Sequence, residues 1–480
     1  MKVRTRFAPS PTGYMHIGGL RTALYAYLFA RKHDGKFILR IEDTDQERQV
    51  PGSVEAIFAT MRAAGLHYDE GPDVGGGFGP YIQSERKHLY KKYADELVKM
   101  GGAYLCFCSK ERLEDLRSGM EARRETFRYD KHCLKLSDKE IQNKIASGEP
   151  YVIRQNIPEE GATRFTDMVF GQIEVENATL DDNVLIKSDG MPTYNFANVV
   201  DDHLMEISHI IRGTEYLSST PKYNLLYDSF SWEIPVYIHL PPVMKDAHRK
   251  LSKRHGDASF EDFTAKGYLP EAIVNYIALL GWNPGTNQEI FTLGELEKSF
   301  SIEGISRSPA IFDVEKLTWM NGEYIRMLSP DEFKKRAMPW YEGAGVEKYD
   351  AEILRQILQP RLERLDQVGE KLSFLSELSD YSITLFEHKK MKTDAHLAKT
   401  LIAGAKETLE ALPAWTQPLL HDALIRLAEK SGVKNGQMLY SVRIALTGQE
   451  VTPGGAIEAA ALLGREESLK RLDIALKKLA

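Results

Sequence analysis

Two stretches of this chain combine residue types that can do chemistry on phosphate. The first is His16-Ile17-Gly18-Gly19, which follows a loop stiffened by Pro9 and Pro11 and opens a periodic apolar segment. The second is MKDAHRKLSKRHG, Met244 to Gly256, in which Lys245, Arg249, Lys250, Lys253 and Arg254 are opposed only by Asp246. A glycine-bearing turn at a helix mouth offers backbone N–H groups to an anion. An array of cations on a loop can close on a triphosphate and stabilise the charge that builds up in phosphoryl or nucleotidyl transfer. The bland alternatives are a structural histidine and a solvated basic loop. Neither standard phosphate loop is present: Gly13 and Gly18 have the spacing of GxxxxGK[ST], but Gly19 and Leu20 stand in the Lys and Ser/Thr places, and GxGxxG is absent.

Chemistry of this kind needs a frame. Leu20, Ala23, Leu24, Tyr27 and Leu28 recur at i, i+3, i+4, i+7 and i+8, which predicts a helix directly behind the turn. Val3, Thr5 and Phe7 alternate with charged neighbours ahead of it, and FILRIED (Phe37 to Asp43) reads as a buried strand ending in carboxylates. The result is the opening of a doubly wound sheet, whose first loop faces the ligand crevice. From Ser84 to Glu149 charged helical segments dominate, and from Asp181 short apolar strands feeding polar loops resume. After EKLTWMNGEYIRML (Glu315 to Leu328) nearly every segment has helical period. The expected fold is an α/β Rossmann-type catalytic domain (1–83 and 191–240) with an inserted α+β domain (84–190). A region carrying the basic loop (241–328) and an all-α module (329–480) follow.

A length of 480 residues exceeds one core and fits about three domains at ~150 residues each. The start, MKVRTRF, lacks an apolar signal core and no run of about 18 apolar residues occurs, so a cytoplasmic protein without a membrane partner is expected. Three cysteines cannot build a disulfide framework. A net charge of −7 excludes wholesale coating of nucleic acid, so any RNA contact must use local basic surface.

HIGG (His16 to Gly19) at the first βα junction, with KLSKR (Lys250 to Arg254) at the end of the sheet, resembles the paired motifs of class I aminoacyl-tRNA synthetases. RFAPSPTG, RIEDTD, PTYNFANVVDDH, KLSKRHG, FDVEKLTWMNG and VRIALTG, in order along essentially the full chain, look like those of the bacterial glutamyl-tRNA synthetases. Gly19 in place of a second histidine and KLSKR in place of KMSKS are both common in that family. The resemblance implies ATP-dependent ligation of L-glutamate to the 3′ end of tRNA(Glu) through a glutamyl-adenylate, with ATP as substrate, Mg²⁺ on the leaving pyrophosphate, and a monomeric enzyme. It further implies that the 84–190 insertion holds the acceptor end and that the helical module reads the anticodon.

Residue by residue, the resemblance implies His16, Lys250 and Lys253 as catalytic groups. It implies ATP contacts from Pro9, Ser10, Pro11, Thr12, Gly13, His16, Gly18, Gly19, Glu215, Leu251, Ser252, Lys253 and Arg254. The glutamate pocket would be lined by Arg6, Ala8, Ser10, Glu42, Tyr194, Asn198 and Arg212. The residue types agree, since a planar guanidinium matches a side-chain carboxylate and Glu42 suits the substrate ammonium. The same residues also admit structural uses: Arg212 paired with Asp201 or Asp202, Glu42 capping a strand, Tyr194 in a core. Tyr216 stands where relatives often carry tryptophan.

Cys106-x-Cys108-x24-Cys133 matches the spacing of the zinc-binding subset of the family, but the fourth ligand position is Lys135, a poor zinc ligand. Bound zinc is therefore not expected, with Tyr129 or His132 as the available substitutes. Arg361, in ILQPRLERL, matches the arginine used to read the third anticodon base. Its alternative, a helix-surface pair with Glu363 or Asp366, is disfavoured for Glu363 because i and i+2 face apart on a helix. A small-molecule nucleotidyltransferase would need no large helical module. A truncated glutamyl-queuosine enzyme would lack it, and a glutaminyl-tRNA synthetase would carry β-barrels in its place. A non-catalytic RNA-binding module would not retain both ATP loops.

Overall fold

The computed structural model describes residues 2–251 and 259–480, and for Gln46 the backbone alone. Ser252, Lys253 and Arg254 therefore lie outside the described residues. Strands β1 (Arg4–Phe7), β2 (Lys36–Leu39), β3 (Ala103–Cys106), β4 (Val152–Gln155), β5 (Ala162–Asp167), β6 (Gly171–Glu176), β7 (Val184–Ile186), β8 (His209–Gly213) and β9 (Val236–Leu240) form two sheets. The larger runs β2-β1-β8-β9-β5-β6, parallel throughout except for the β5–β6 hairpin. From β1 the chain moves outward to β2 and later returns to β8 on the other side, so the order reverses between β1 and β8. In sheets of this type the crevice at the carboxyl ends of those two strands takes the ligand.

β1 is buried along its whole length, including the charged residues between its apolar ones. Arg4 pairs with Glu70 at 2.8 Å and Arg6 with Asp202 at 3.0 Å, which is how a central strand covered on both faces can carry arginines. Helix α1 (Ile17–Lys32) buries the five periodic residues as expected, and also Tyr25, Ala26 and Phe29. Tyr25 packs against Phe300 and Tyr27 against Phe37, with ring centroids 5.1 and 5.7 Å apart, so the helix is covered on more than the predicted stripe.

The 84–190 stretch does not stand apart as a whole. β3, β4 and β7 make a small antiparallel sheet of their own, but β5 and β6, within the same stretch, extend the main sheet. The cause is the alternation in ATRFTD, where Thr163, Phe165 and Asp167 are buried and Arg164 and Thr166 exposed, with Asp167 in register with Tyr237 of β9. Part of the remainder shares a core with the main domain, where Tyr90, Leu97, Ile153 and Leu185 cluster with Phe196 and Val200 of helix α2 (Tyr194–Leu204) and with Leu226 of helix α3 (Thr220–Ser229), while Tyr104, Cys106, Tyr129 and Cys133 form a cluster of their own.

The chain divides into two compact units, one of residues 1–264 and 273–313, the other of 265–272 and 314–480. The second is helical, as expected, but begins earlier than 329. The segment Val314–Met327 belongs to it because Asn321 is buried there, accepting from the Leu269 N–H at 2.7 Å and donating to the Glu363 carbonyl at 2.5 Å, and because Ile325 joins its core. The unit also holds the helices Pro330–Ala344, Ala351–Leu358, Ala395–Glu410, Gln417–Lys430, Asn435–Thr447 and Ala456–Lys478, the last kinked at Gly464. Among the described residues no helix is long and apolar enough to cross a membrane.

Candidate active site

The turn ahead of α1 is held by its own short bonds. Thr12 N–H donates to the Ser10 carbonyl at 2.9 Å, Glu42 N–H donates to the Pro9 carbonyl at 3.0 Å, and Gly13 adopts φ 107°, which favours glycine. His16 is the N-cap of α1, and its Nδ1 accepts from the Gly18 N–H at 3.0 Å. With Nδ1 an acceptor, the neutral ring carries its proton on Nε2. Ala8 and Pro9 are half-buried and Ser10 is exposed at the carboxyl end of β1. The basic loop leaves the sheet as a narrow hairpin, in which Met244 bridges to Lys250 and Leu251 N–H donates to the Val243 carbonyl at 3.1 Å. Lys250 is exposed, and Arg249 is drawn back onto Asp246 at 2.6 Å, which holds the Asp246 carboxyl down at about 2. Glu215 is exposed on the turn Thr214–Tyr216 that follows β8.

Beneath the turn lies a buried ion network. Arg40, fully buried, donates to Asp202 at 2.8 Å and to Glu42 at 2.9 Å. Arg6 grips the same Asp202 with Nε and Nη2 at 3.0 and 3.2 Å. Asp201 is occupied by Arg86 at 2.6 Å, Tyr90 at 2.7 Å and Gln83 at 2.9 Å. Burial pushes the Asp202 carboxyl up, but Arg6 and Arg40 outweigh it and hold it below the ordinary value. For Glu42 burial wins over Arg40 and Arg6, and its carboxyl sits above the ordinary value. Glu42 is thus a networked carboxylate at the crevice rather than a strand cap. The Arg6 fork is already engaged by Asp202.

Arg212, at the end of β8, pairs with neither aspartate. Its Nε donates to His239 Nε2 at 3.0 Å and its Nη2 to Thr220 Oγ1 at 2.7 Å, while Nη1, buried, has no partner among the described residues. Three tyrosine rings surround the guanidinium: Tyr223, Tyr237 and Tyr216 at 4.9, 5.2 and 5.4 Å. The first two are pinned by their hydroxyls, on Asn195 at 2.8 Å and Asn224 at 2.7 Å. Tyr194 is half-buried with its ring 5.3 Å from that of Tyr216, and burial drives its phenol well above the ordinary value. Asn198, one turn further along α2, donates to the Tyr194 carbonyl at 2.6 Å. A buried cation with an unused donor edge is a receptor for a carboxylate.

The structure thus gathers Arg6, Glu42, Tyr194, Asn198 and Arg212 at one edge of the sheet with the His16 turn. Arg40, Thr220, His239 and Asp167 join them without having been singled out in the sequence. Only His239 left a signal, as the one polar residue in the apolar run VYIHL.

A family model described as "tRNA synthetases class I (E and Q), catalytic domain" matches residues 2–319, and one described as "Anticodon binding domain" matches residues 332–476. The glutamate–tRNA ligase of Clostridium tetani is 55% identical over 478 residues, covering 100% of this chain and 98% of that one. That of Clostridium botulinum strain Hall is also 55% identical, covering 100% and 99%. The chain belongs to the glutamyl-tRNA synthetases of class I. Two solved structures agree: a glutamate tRNA ligase from Elizabethkingia meningosepticum in complex with its amino acid, at TM-score 0.91 and 34% identity over 100% of both chains, and the glutamate–tRNA synthetase of Elizabethkingia anophelis, at 0.89 and 34% over 99% of this chain and 100% of that one. The synthetase architecture, a class I catalytic domain followed by a helical anticodon-binding domain, is the one read from the sequence.

Two further groups of the synthetase carry motif matches read from the sequence. Cys106, Cys108 and Cys133 bring their sulfurs within 4.8 Å of one another, and the Tyr129 hydroxyl lies 3.4 Å from Cys106 and 3.1 Å from Cys108. The three sulfurs lie close enough together to hold one metal ion, and the Tyr129 hydroxyl, hydrogen-bonded to two of them, sits beside them. In the helical unit Arg361 is not on a helix. The helix Ala351–Leu358 stops ahead of Pro360, and Arg361 is exposed with Nη1 donating to the Ile357 carbonyl at 3.1 Å. Arg364, not Arg361, pairs with Asp366, at 3.0 Å.

Proposed function

We propose that this synthetase activates L-glutamate with MgATP and transfers the glutamyl group to the 3′ end of tRNA(Glu). The observation that carries the reading is Arg212, whose Nη1 edge is buried and unpartnered inside a tyrosine wall, where a γ-carboxylate would complete it. The substrate ammonium is met by Glu42. The α-carboxylate attacks the α-phosphorus of ATP and pyrophosphate leaves. A hydroxyl of the terminal tRNA ribose then attacks the mixed anhydride and AMP leaves. No enzyme nucleophile is needed, so catalysis consists of positioning and of stabilising charge on the phosphates. His16 supplies its Nε2 proton and the α1 N-terminus its dipole, while Lys250 and Lys253 supply cations from the basic loop. Magnesium carried with ATP neutralises charge on the leaving pyrophosphate. The remainder of the 84–190 stretch holds the acceptor end, and the helical unit reads the anticodon through Arg361.

Charging of a tRNA(Glu) transcript with a panel of radiolabelled amino acids tests the reading. Glutamate alone should accumulate on the tRNA in an ATP-dependent manner. Charging with another amino acid, or none at all, would overturn it.

A further inference from the structure

Arg212 is aimed by a chain of buried groups that begins on another strand. Asp167, at the end of β5, accepts the backbone N–H groups of Val169 and Phe170 at 2.9 Å each through Oδ1, and that of His239 at 3.0 Å through Oδ2. The same Oδ2 lies 2.7 Å from His239 Nδ1. On the far side of the imidazole, Nε2 receives the Arg212 Nε–H at 3.0 Å. Asp167 and Arg212 are nearly fully buried and His239 is wholly so.

These bonds leave one consistent proton arrangement. A guanidinium only donates, so His239 Nε2 must be a bare lone pair, and the ring proton must sit on Nδ1 and be given to Asp167. Burial, which disfavours the charged ring, keeps the imidazole neutral at physiological pH. A protonated ring would point a second N–H at the arginine. Thr220 supports the same orientation, since its hydroxyl donates to the Tyr216 carbonyl at 3.0 Å and accepts from Arg212 Nη2 at 2.7 Å. With Nε and Nη2 tied down, the guanidinium plane is fixed and the Nη1 edge is what remains for a ligand.

We propose that His239 is a positioning residue for substrate specificity: held in one tautomer by Asp167, it fixes the rotation of Arg212 so that its Nη1 edge meets the γ-carboxylate of glutamate. The proposal rests on the functional reading above, in which Arg212 receives that carboxylate. It assigns selectivity for glutamate over glutamine partly to residues that never touch the substrate.

Two substitutions separate this role from a merely structural one, because each preserves one end of the imidazole. His239→Asn keeps a polar group near Nδ1, able to bond Asp167, and loses the acceptor for Arg212. His239→Gln reaches the Nε2 position with a carbonyl oxygen and loses the Asp167 bond. ATP–pyrophosphate exchange in the presence of tRNA(Glu) would be measured for both as KM for glutamate, KM for ATP and kcat. The expected result is that His239→Asn raises the glutamate KM about tenfold or more, the loss of one charge-assisted bond, and narrows the preference over glutamine. His239→Gln should lie nearer the wild type, with the ATP KM unchanged in both variants. The reverse order, equal effects, no effect, or a change in the ATP KM overturns the proposal. A wild-type enzyme without glutamate-dependent exchange would instead overturn the functional reading.

Discussion

Arg212 carries five N–H donors on a planar fork, and the structure spends Nε and one donor of Nη2 inside the protein. The sequence left open whether Arg212 would pair with Asp201 or Asp202 or be left for a substrate carboxylate. Both are taken, by Arg86, Tyr90 and Gln83 in one case and by Arg6 and Arg40 in the other. That exclusivity could not be read from spacing, since it depends on four segments meeting under the turn. Lys253 is the opposite case, legible as a motif and lying outside the described residues. Its cation is assigned to charge that grows in the transition state, so Lys253→Ala should lower kcat for adenylate formation by about a hundredfold or more while leaving the glutamate KM near wild type. Steady-state exchange kinetics check this, and an unchanged kcat with a raised KM would refute the role.

At the scale of elements, the strand-helix-strand opening followed from periodicity because α1 presents a continuous apolar stripe. The β5–β6 hairpin escaped notice because its buried face includes the polar residues Thr163 and Asp167, whose bonds to Asn177 and to the His239 N–H leave no mark on the hydrophobic pattern. The ion network under the crevice ties β1, β2 and α2 together. Removing one member leaves buried charges unpaired, so Asp202→Asn should destabilise the catalytic unit by about 3–5 kcal/mol at neutral pH, measured by urea unfolding. The sign with pH follows from the depressed carboxyl of Asp202. Its contribution is present above the ordinary aspartate value and is lost as pH falls through the folded one, so the gap between wild type and variant should close in acid. Glu42, shifted upward, has the opposite sign but is present in both proteins. The thiol cluster on β3 and the 3₁₀ turn His132–Lys135 gives a separate test. Elemental analysis of protein purified without chelator should find little zinc, with Cys106, Cys108, Cys133 and Tyr129 forming a hydrogen-bonded core. Near-stoichiometric zinc, lost in Cys108→Ser, would overturn that expectation.

Across the whole molecule, a net charge of −7 concentrates the question of RNA recognition on particular basic residues. Arg361 is one, exposed beyond a helix end and without an ion pair among the described residues, with Nη1 on the Ile357 carbonyl and the rest of its fork available to a base edge. Arg361→Gln should relax discrimination between C- and G-ending anticodons in charging assays with anticodon-swapped transcripts, by about tenfold, with glutamate activation intact. An unchanged preference would make Arg361 a helix cap only. The central claim joins all scales, since it requires the sheet to present Arg212, the network to hold Glu42, and both ATP loops to act on the same amino acid. Its most direct test is the ratio of kcat/KM for glutamate to that for glutamine in ATP–pyrophosphate exchange with tRNA(Glu) present. A neutral amide leaves the buried guanidinium uncompensated, a penalty of about 3 kcal/mol, so the ratio should be about a hundredfold or more. Equal values for the two amino acids would contradict the account.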